Sequence, residues 1–233
     1  MTRGFDDRRQ FAAKMHQQWL EPAMAAYWRV DRDDIQPMYS QSSDAVVVDE
    51  KGGIDAIVQT AGSAPVFVAQ RVRKMRKYRN NWYRPDFSLR DETSTGDKSE
   101  YARLMDAYRT GRDLPSVYLF GIGAATSQKG CINEGLTALY WIDTKQLVAS
   151  IDAGDIEGER HQNDTGETTY YYSVDDLQRC DCVRAKASGS ALQSVYDDNR
   201  CVDAGYPRIT PGVRTSRTRL QDFTQTGVCE WRS

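Results

Sequence analysis

The sequence predicts an α/β fold in which helices flank a central mixed β-sheet. Apolar side chains recur at helical spacing over residues 6–28 and again over 100–110. Two apolar runs, at 54–59 and 66–74, lie on either side of a segment that contains Gly and Pro, which indicates a β-hairpin. Helical and strand patterns then follow one another along the chain, and this mixture is typical of helices packed against a mixed sheet.

Each element has a local signal of its own. In the first helix, Met15 and Trp19 belong to an apolar stripe, and Pro22 is expected to kink that helix or divide it in two. The second helix is expected to end at Gly111, a residue type that commonly stops helices. Further strands are predicted at 86–90, 115–123, 136–142 and 168–173. A short helix capped by Asp143 and a helical turn at 175–179 are also predicted. Residues 31–37 are expected to form a connector, and residues 154–167 a polar loop.

The predicted domain organisation is one α/β domain at 1–183 followed by a polar, weakly structured tail or appendage at 184–233. From about residue 184 onward, apolar residues become isolated, and Gly, Ser, Arg and Asp dominate. A length of 233 residues fits one or two domains.

Composition excludes several classes of protein. No segment approaches the run of about 18 apolar residues that a membrane-spanning helix needs, so no membrane partner is expected. Five cysteines form an odd set without a preceding apolar signal segment, which favours a reducing cytoplasm over a secreted disulfide framework. Cys180 and Cys182 have CxC spacing, which is not the spacing of a structural zinc site.

The strongest chemical signal lies in the predicted hairpin. Asp55 is early in its first strand, and Gln70, Arg71 and Arg73 are in the second, so strand pairing brings them close together. A carboxylate, a second polar ligand and a cation suit metal-assisted phosphodiester cleavage, in which Mg²⁺ activates a water and polarises the phosphate. Each residue also has a structural alternative: Asp55 as a turn or ion-pair residue, Gln70 as a core hydrogen-bonding group, and the arginines as ion-pair partners.

On these residues the chain resembles the PD-(D/E)XK nuclease superfamily. The Gly-Ile-Asp segment at 53–55 and the strand that carries Gln70 match its pattern of a helix, an Asp-bearing strand, a hairpin to an (E/Q)-x-(K/R) strand, a helix and a strand, over about residues 5–183. The resemblance implies a restriction-endonuclease-like core, a Mg²⁺ or Mn²⁺ cofactor and phosphodiester hydrolysis. The catalytic residues it implies are Asp55, Gln70, Arg71 and Arg73, and the metal ligands are Asp55, Gln70, Asp44 and Glu21.

The (D/E)-x-K element of that superfamily is incomplete in this chain. Side chains alternate along a strand, so Gln70 in the acid position leaves Val72 in the lysine position. Arg71 in the lysine position leaves Ala69 in the acid position, and a β-bulge would be needed to reconcile the two. Three hypotheses stay open: an active nuclease, a degenerate relative that binds nucleic acid without cutting it, and a protein-interaction domain.

A basic segment follows the candidate catalytic strand. Seven cations and no acid fall between residues 71 and 84, and aromatic residues lie among them. Cations contact phosphates and aromatic rings stack on bases, so nucleic acid, with DNA favoured, is the predicted partner. The predicted binding residues are Lys74, Arg76, Lys77, Arg79 and Trp82. The alternative is a solvated turn that balances acids elsewhere, and the position directly after the candidate catalytic strand favours nucleic acid. A formal net charge of −2 is compatible with such a basic face, because the acids are concentrated elsewhere in the chain.

Overall fold

The computed structural model describes residues 10–38, 53–78, 81–83, 85–92, 99–164, 166–189 and 192, without the side chains of 77–78, 81–83 and 92. Helix α1 comprises residues 10–15, a π-helical turn at His16–Leu20 and an α-helical part at Glu21–Trp28. The other α-helices are α2 (Glu100–Thr110), α3 (Gln128–Glu134), α4 (Thr144–Ala153) and α5 (Val174–Arg179). The strands are β1 (Ile35–Pro37), β2 (Ala56–Val58), β3 (Val66–Lys74), β4 (Arg76–Tyr78), β5 (Asn81–Tyr83), β6 (Phe87–Glu92), β7 (Val117–Gly123), β8 (Leu136–Asp143), β9 (Glu159–Gln162), β10 (Thr168–Tyr172) and β11 (Val183–Ser188).

A six-stranded mixed sheet in the order β1-β2-β3-β7-β8-β11 forms the centre of the fold. β3 and β7 are parallel, and the other neighbouring pairs are antiparallel. A parallel pair needs a crossover, and here the crossover contains β4, β5, β6 and α2. β6, β10 and β9 form a separate antiparallel sheet, and β4 and β5 form a hairpin. The predicted α/β class with a central mixed sheet and the predicted β2–β3 hairpin are both confirmed.

Two apolar cores lie on opposite faces of the central sheet. Every residue of β7 is buried, and its side chains alternate between the cores: Leu119 packs toward α1, whereas Tyr118 and Phe120 pack toward α2. Met24 of α1 is buried in the first core, and Phe87 of the three-stranded sheet is buried in the second. Each fully buried side chain of this size contributes about 1.5–3 kcal/mol. Burial on both faces fixes the register of β3 and β7, and with it the direction of each polar side chain on β3.

The helix that the sequence predicts over 6–28 continues through Pro22 instead of dividing there. The backbone N–H of Glu21 donates to the carbonyl of His16, which closes the π-helical turn. Pro22 then falls in the first turn of the α-helical part, where a missing N–H is best tolerated. The irregularity therefore lies one turn before the proline.

Strand β11 crosses the domain boundary that the sequence predicts at residue 184. Its alternate residues Ala185 and Ala187 are fully buried in the first core, where they pair with β8 at the sheet edge. Small isolated apolar residues give a weak signal, which is why the composition there suggests a tail. Residues 190–191 and 193–233 lie outside the described part of the chain. Among the described residues, no helix has the length and apolar content that crossing a bilayer requires.

Candidate functional site

β3 divides the predicted site residues between the two faces of the sheet. Its parallel register pairs Gln70 with Leu119 and Arg71 with Phe120, and these two β7 residues belong to opposite cores. Because side chains alternate along a strand, Gln70 faces α1, whereas Arg71 and Arg73 face α2 and the three-stranded sheet. The pairing of β3 with β7 has no register shift from Val68 to Lys74. No bulge therefore brings Gln70 to the arginine face.

Gln70 joins a polar network beneath α1. Its side-chain nitrogen lies 2.8 Å from His16 Nδ1, to which it donates when that nitrogen carries no proton. His16 Nε2 lies 3.6 Å from the Glu21 carboxylate, and Arg32 Nε donates to that carboxylate at 2.6 Å. Glu21 and Gln70 are thus connected through His16. The sequence offers one clue to this role, since His16 lies five residues before Glu21 on the same helix.

His16 is neutral in this network. Burial lowers the pKa of His16, and Arg32 acts in the same direction. The hydrogen bond with Gln70 and the charge of Glu21 oppose this effect without reversing it. A neutral ring that accepts from Gln70 at Nδ1 carries its proton on Nε2, which faces Glu21. His16 lies within the predicted first helix, and the sequence does not indicate its contact with Gln70.

This neutral histidine predicts a pH-dependent stability. The pKa of His16 in the folded chain lies below the ordinary value of 6.5, so the unfolded chain binds the proton more tightly. The stabilisation is fully present above pH 6.5 and is lost as the pH falls through the folded-state pKa. We expect His16→Gln to remove this part of the pH dependence, which amounts to at most about 1.4 kcal/mol per pH unit. Urea unfolding at pH 7.5 and 5.5 measures this pH dependence. If the unaltered protein and His16→Gln lost the same free energy of unfolding between these two pH values, the prediction would be contradicted.

Asp55 lies just before β2, on the face of the sheet opposite Gln70. Its backbone N–H donates to the carbonyl of Val68 at 2.9 Å, which extends the β2–β3 ladder by one residue. Its neighbour Ala56 is buried in the first core, so by alternation Asp55 faces the second. The Asp55 carboxylate accepts the backbone N–H of Gln70 at 2.5 Å. The Asp55 carboxylate therefore meets the backbone of Gln70 and not its side chain.

Arg71 is held in a buried ion pair with Glu100 of α2. Its guanidinium donates to one Glu100 oxygen, and the hydroxyl of Tyr118 donates to the other at 2.9 Å. Burial alone would raise the pKa of Glu100, but Arg71 and Tyr118 together hold it below its ordinary value. The pKa of Tyr118 lies well above the ordinary value, and burial is the largest cause of this shift. Both Glu100 oxygens are thus engaged, and the sequence, which predicts Glu100 only as a helix residue, does not indicate this pair.

Arg73 and Arg76 form no ion pair with any described residue. Arg73 Nε donates to Ser88 Oγ at 3.0 Å, and its guanidinium carbon lies 6.0 Å from the centre of the Tyr171 ring. The guanidinium carbon of Arg76 lies 5.9 Å from the same ring centre. Burial lowers the pKa of Arg73, and the charges of Arg71 and Arg76 lower it further. We call Arg71, Arg73 and Arg76 the arginine row, because the charges of Arg71 and Arg76 both act on Arg73.

The other predicted nucleic-acid-binding residues lie in different parts of the chain. Lys74 is exposed and pairs with Gly123, on the face of β3 opposite Arg73. Its charge acts on Cys131, which belongs to the first core. Arg79 lies outside the described residues, and Lys77 and Trp82 are described only by their backbone in the β4–β5 hairpin.

The described metal-ligand candidates Asp55, Gln70 and Glu21 do not meet at one point. Asp55 lies on the second-core face, whereas Gln70 and Glu21 lie in the network beneath α1, and Asp44 is outside the described residues. Within the described ranges, no three His, Cys, Asp or Glu side chains are grouped so that they could hold a metal ion. The Asp55 carboxylate interacts electrostatically with the Arg71 guanidinium. A metal ligand at this position would instead need its carboxylate directed at the ion. These donors therefore do not fit the Mg²⁺ site that the resemblance implies.

A cleft of about 260 Å³ opens beside Glu100 and Tyr118. Its walls carry acidic and basic side chains together, and Arg112 is paired there with Asp106. No single sign of charge dominates this cleft, in contrast to the arginine row.

Comparison of the chain with protein-family models, with curated proteins and with solved structures finds no match. The functional conclusion therefore depends on the geometry of β3 and its neighbours.

Proposed function

We propose that this chain binds nucleic acid through Arg73 and Arg76 of the arginine row and does not hydrolyse it. The observation that carries the proposal is that Arg73 and Arg76, which have no ion-pair partner among the described residues, both lie about 6 Å from the centre of the Tyr171 ring. Arg76 is exposed and Arg73 is half-buried, so both are within reach of a ligand at the surface. Phosphate oxygens would supply the anionic acceptors that these guanidinium groups do not find among the described residues.

The order of elements supports a degenerate restriction-endonuclease-like core. Helix α1, the strand after Asp55, its hairpin partner β3, helix α2 and strand β7 occur in the order of that superfamily's pattern, with β1 before β2 and β4, β5 and β6 between β3 and α2. The positions that would carry catalysis have other partners. Gln70 is bonded to His16 under α1, and Arg71 is bonded to Glu100. This arrangement favours a relative that retains nucleic-acid binding over an active nuclease.

Binding and cleavage are separable in one experiment. We expect a fluorescein-labelled 30-nucleotide DNA to bind with the same affinity in EDTA and in Mg²⁺ or Mn²⁺, and to stay intact in both. Asp55→Asn is expected to change the affinity less than about twofold, because the Asp55 carboxylate is bonded to the backbone of Gln70 and not to a ligand.

Fluorescence anisotropy and a denaturing gel provide the two readouts. Metal-dependent cleavage that Asp55→Asn abolishes would replace this proposal with the nuclease hypothesis. Absence of any binding at 50 mM salt would leave only the protein-interaction hypothesis.

A further inference from the structure

One face of the three-stranded sheet lies beside the arginine row, where Arg73 donates to the buried Ser88 hydroxyl. In the β10–β6 register Tyr171 pairs with Ser88, and in the β10–β9 register Tyr171 pairs with Glu159 and Thr169 pairs with His161. Side chains opposite one another on paired strands share a face, so these five residues lie on the same face of the sheet. The other face of β10 carries Tyr172, which is buried in the second core. The sheet is thus fixed from behind and presents Tyr171 on its other side.

The environment of Tyr171 combines the two groups that bind a nucleotide. The guanidinium groups of Arg73 and Arg76 lie over its half-buried ring, at 6.0 and 5.9 Å from the ring centre. The exposed His161 ring meets it edge-on at 6.4 Å between centres, and the exposed Glu159 is its cross-strand neighbour. Guanidinium groups bind phosphates, and flat rings on a sheet surface stack unpaired bases. We infer that Tyr171 stacks an unpaired base while Arg73 and Arg76 hold the neighbouring phosphates, so that the ligand is single-stranded nucleic acid. This inference rests on the proposed function and specifies its substrate class.

Duplex nucleic acid fits this surface less well for two reasons. Bases in a duplex are stacked on one another, so their faces cannot reach a protein ring unless they are unpaired. The Arg76 end of the row also borders an acidic patch, which we define as Asp86, Glu159, Asp175 and Asp176. The charges of the other three carboxylates act on Asp86, whose pKa is raised first by burial. A duplex carries twice the charge per unit length of a single strand, so this patch repels it more strongly.

The strand preference is tested by anisotropy with a labelled 20-nucleotide single strand and the matching 20-base-pair duplex at 50 mM salt. We expect the single strand to bind at least tenfold more tightly. Tyr171→Leu, which removes the ring, should weaken single-strand binding about tenfold, whereas Tyr171→Phe should stay within twofold. Equal affinities for the two ligands, or equal effects of the leucine and phenylalanine variants, would overturn the inference.

A second readout uses the unaltered protein, since Tyr171 is half-buried and Tyr171→Leu also removes packing. A single strand that contains 2-aminopurine should lose fluorescence on binding, because stacking on an aromatic ring quenches it. Binding without any quenching at any position of the probe would overturn the inference. Salt-dependent binding of both ligands alike would leave the proposed function standing, whereas failure of both ligands to bind would remove the proposed function and the inference together.

Discussion

Glu100→Ala is expected to lower the free energy of unfolding by about 3–5 kcal/mol. The substitution leaves the Arg71 guanidinium buried beside Tyr118 without its carboxylate, and removing one partner of a buried ion pair is far more costly than removing both. The Glu100 side chain is 15% exposed and that of Arg71 is 25% exposed, so water compensates little. Urea unfolding followed by circular dichroism at pH 7 measures the loss.

Two further variants distinguish the buried pair from a general effect of mutating α2. Asp106→Ala, on the same helix, breaks a pair with Arg112, whose side chain is 62% exposed, and should cost less than about 1 kcal/mol. The double variant Arg71→Met/Glu100→Leu should recover much of the stability that Glu100→Ala loses, since no unpaired charge remains. Equal losses for Glu100→Ala and Asp106→Ala would show that the Arg71–Glu100 pair has no special role.

Elements with strong local signals are predictable from the sequence. The apolar run after the Gly- and Pro-containing turn predicts the bounds of β3 at 66–74, and the apolar stripe and Gly111 predict α2. β1, β9 and β11 are not predicted, because they are short and polar or carry small residues. Their pairing with neighbours in the sheets, and not their intrinsic preference, makes them strands.

The candidate site is predictable only in part, for a related reason. Alternation along β3 already separates Gln70 from Arg71, and the structure places them on opposite faces. The partners of these residues come from distant segments: Glu100 is 29 residues from Arg71, and His16 is 54 residues from Gln70. Periodic sequence patterns predict local helices and strands, and they do not predict contacts between such distant segments. Tyr171 lies in a predicted strand, but nothing local places its ring beside Arg73.

Arg73→Gln/Arg76→Gln is expected to weaken binding of single-stranded DNA about 50-fold at 50 mM salt. For a single strand, each phosphate contact contributes about −0.7 to the slope of the logarithm of the binding constant against the logarithm of salt concentration. Losing two contacts changes the affinity by that slope multiplied by the roughly 1.3 decades of salt between 50 mM and 1 M. Lys74→Gln is the matched control, because it removes one cation from the opposite face of the same strand, and it should cost about threefold or less. Fluorescence anisotropy measures both, and an equal loss for the control would contradict a role for the arginine row.

The salt dependence of that binding tests the central claim most directly. The logarithm of the binding constant of the unaltered protein should fall linearly with the logarithm of salt concentration between 50 and 300 mM, as phosphate contacts require. In Arg73→Gln/Arg76→Gln the slope should be shallower by about 1.4, which corresponds to two lost contacts with a single strand. An unchanged slope would mean that the phosphates are bound elsewhere on the molecule, and would contradict the account.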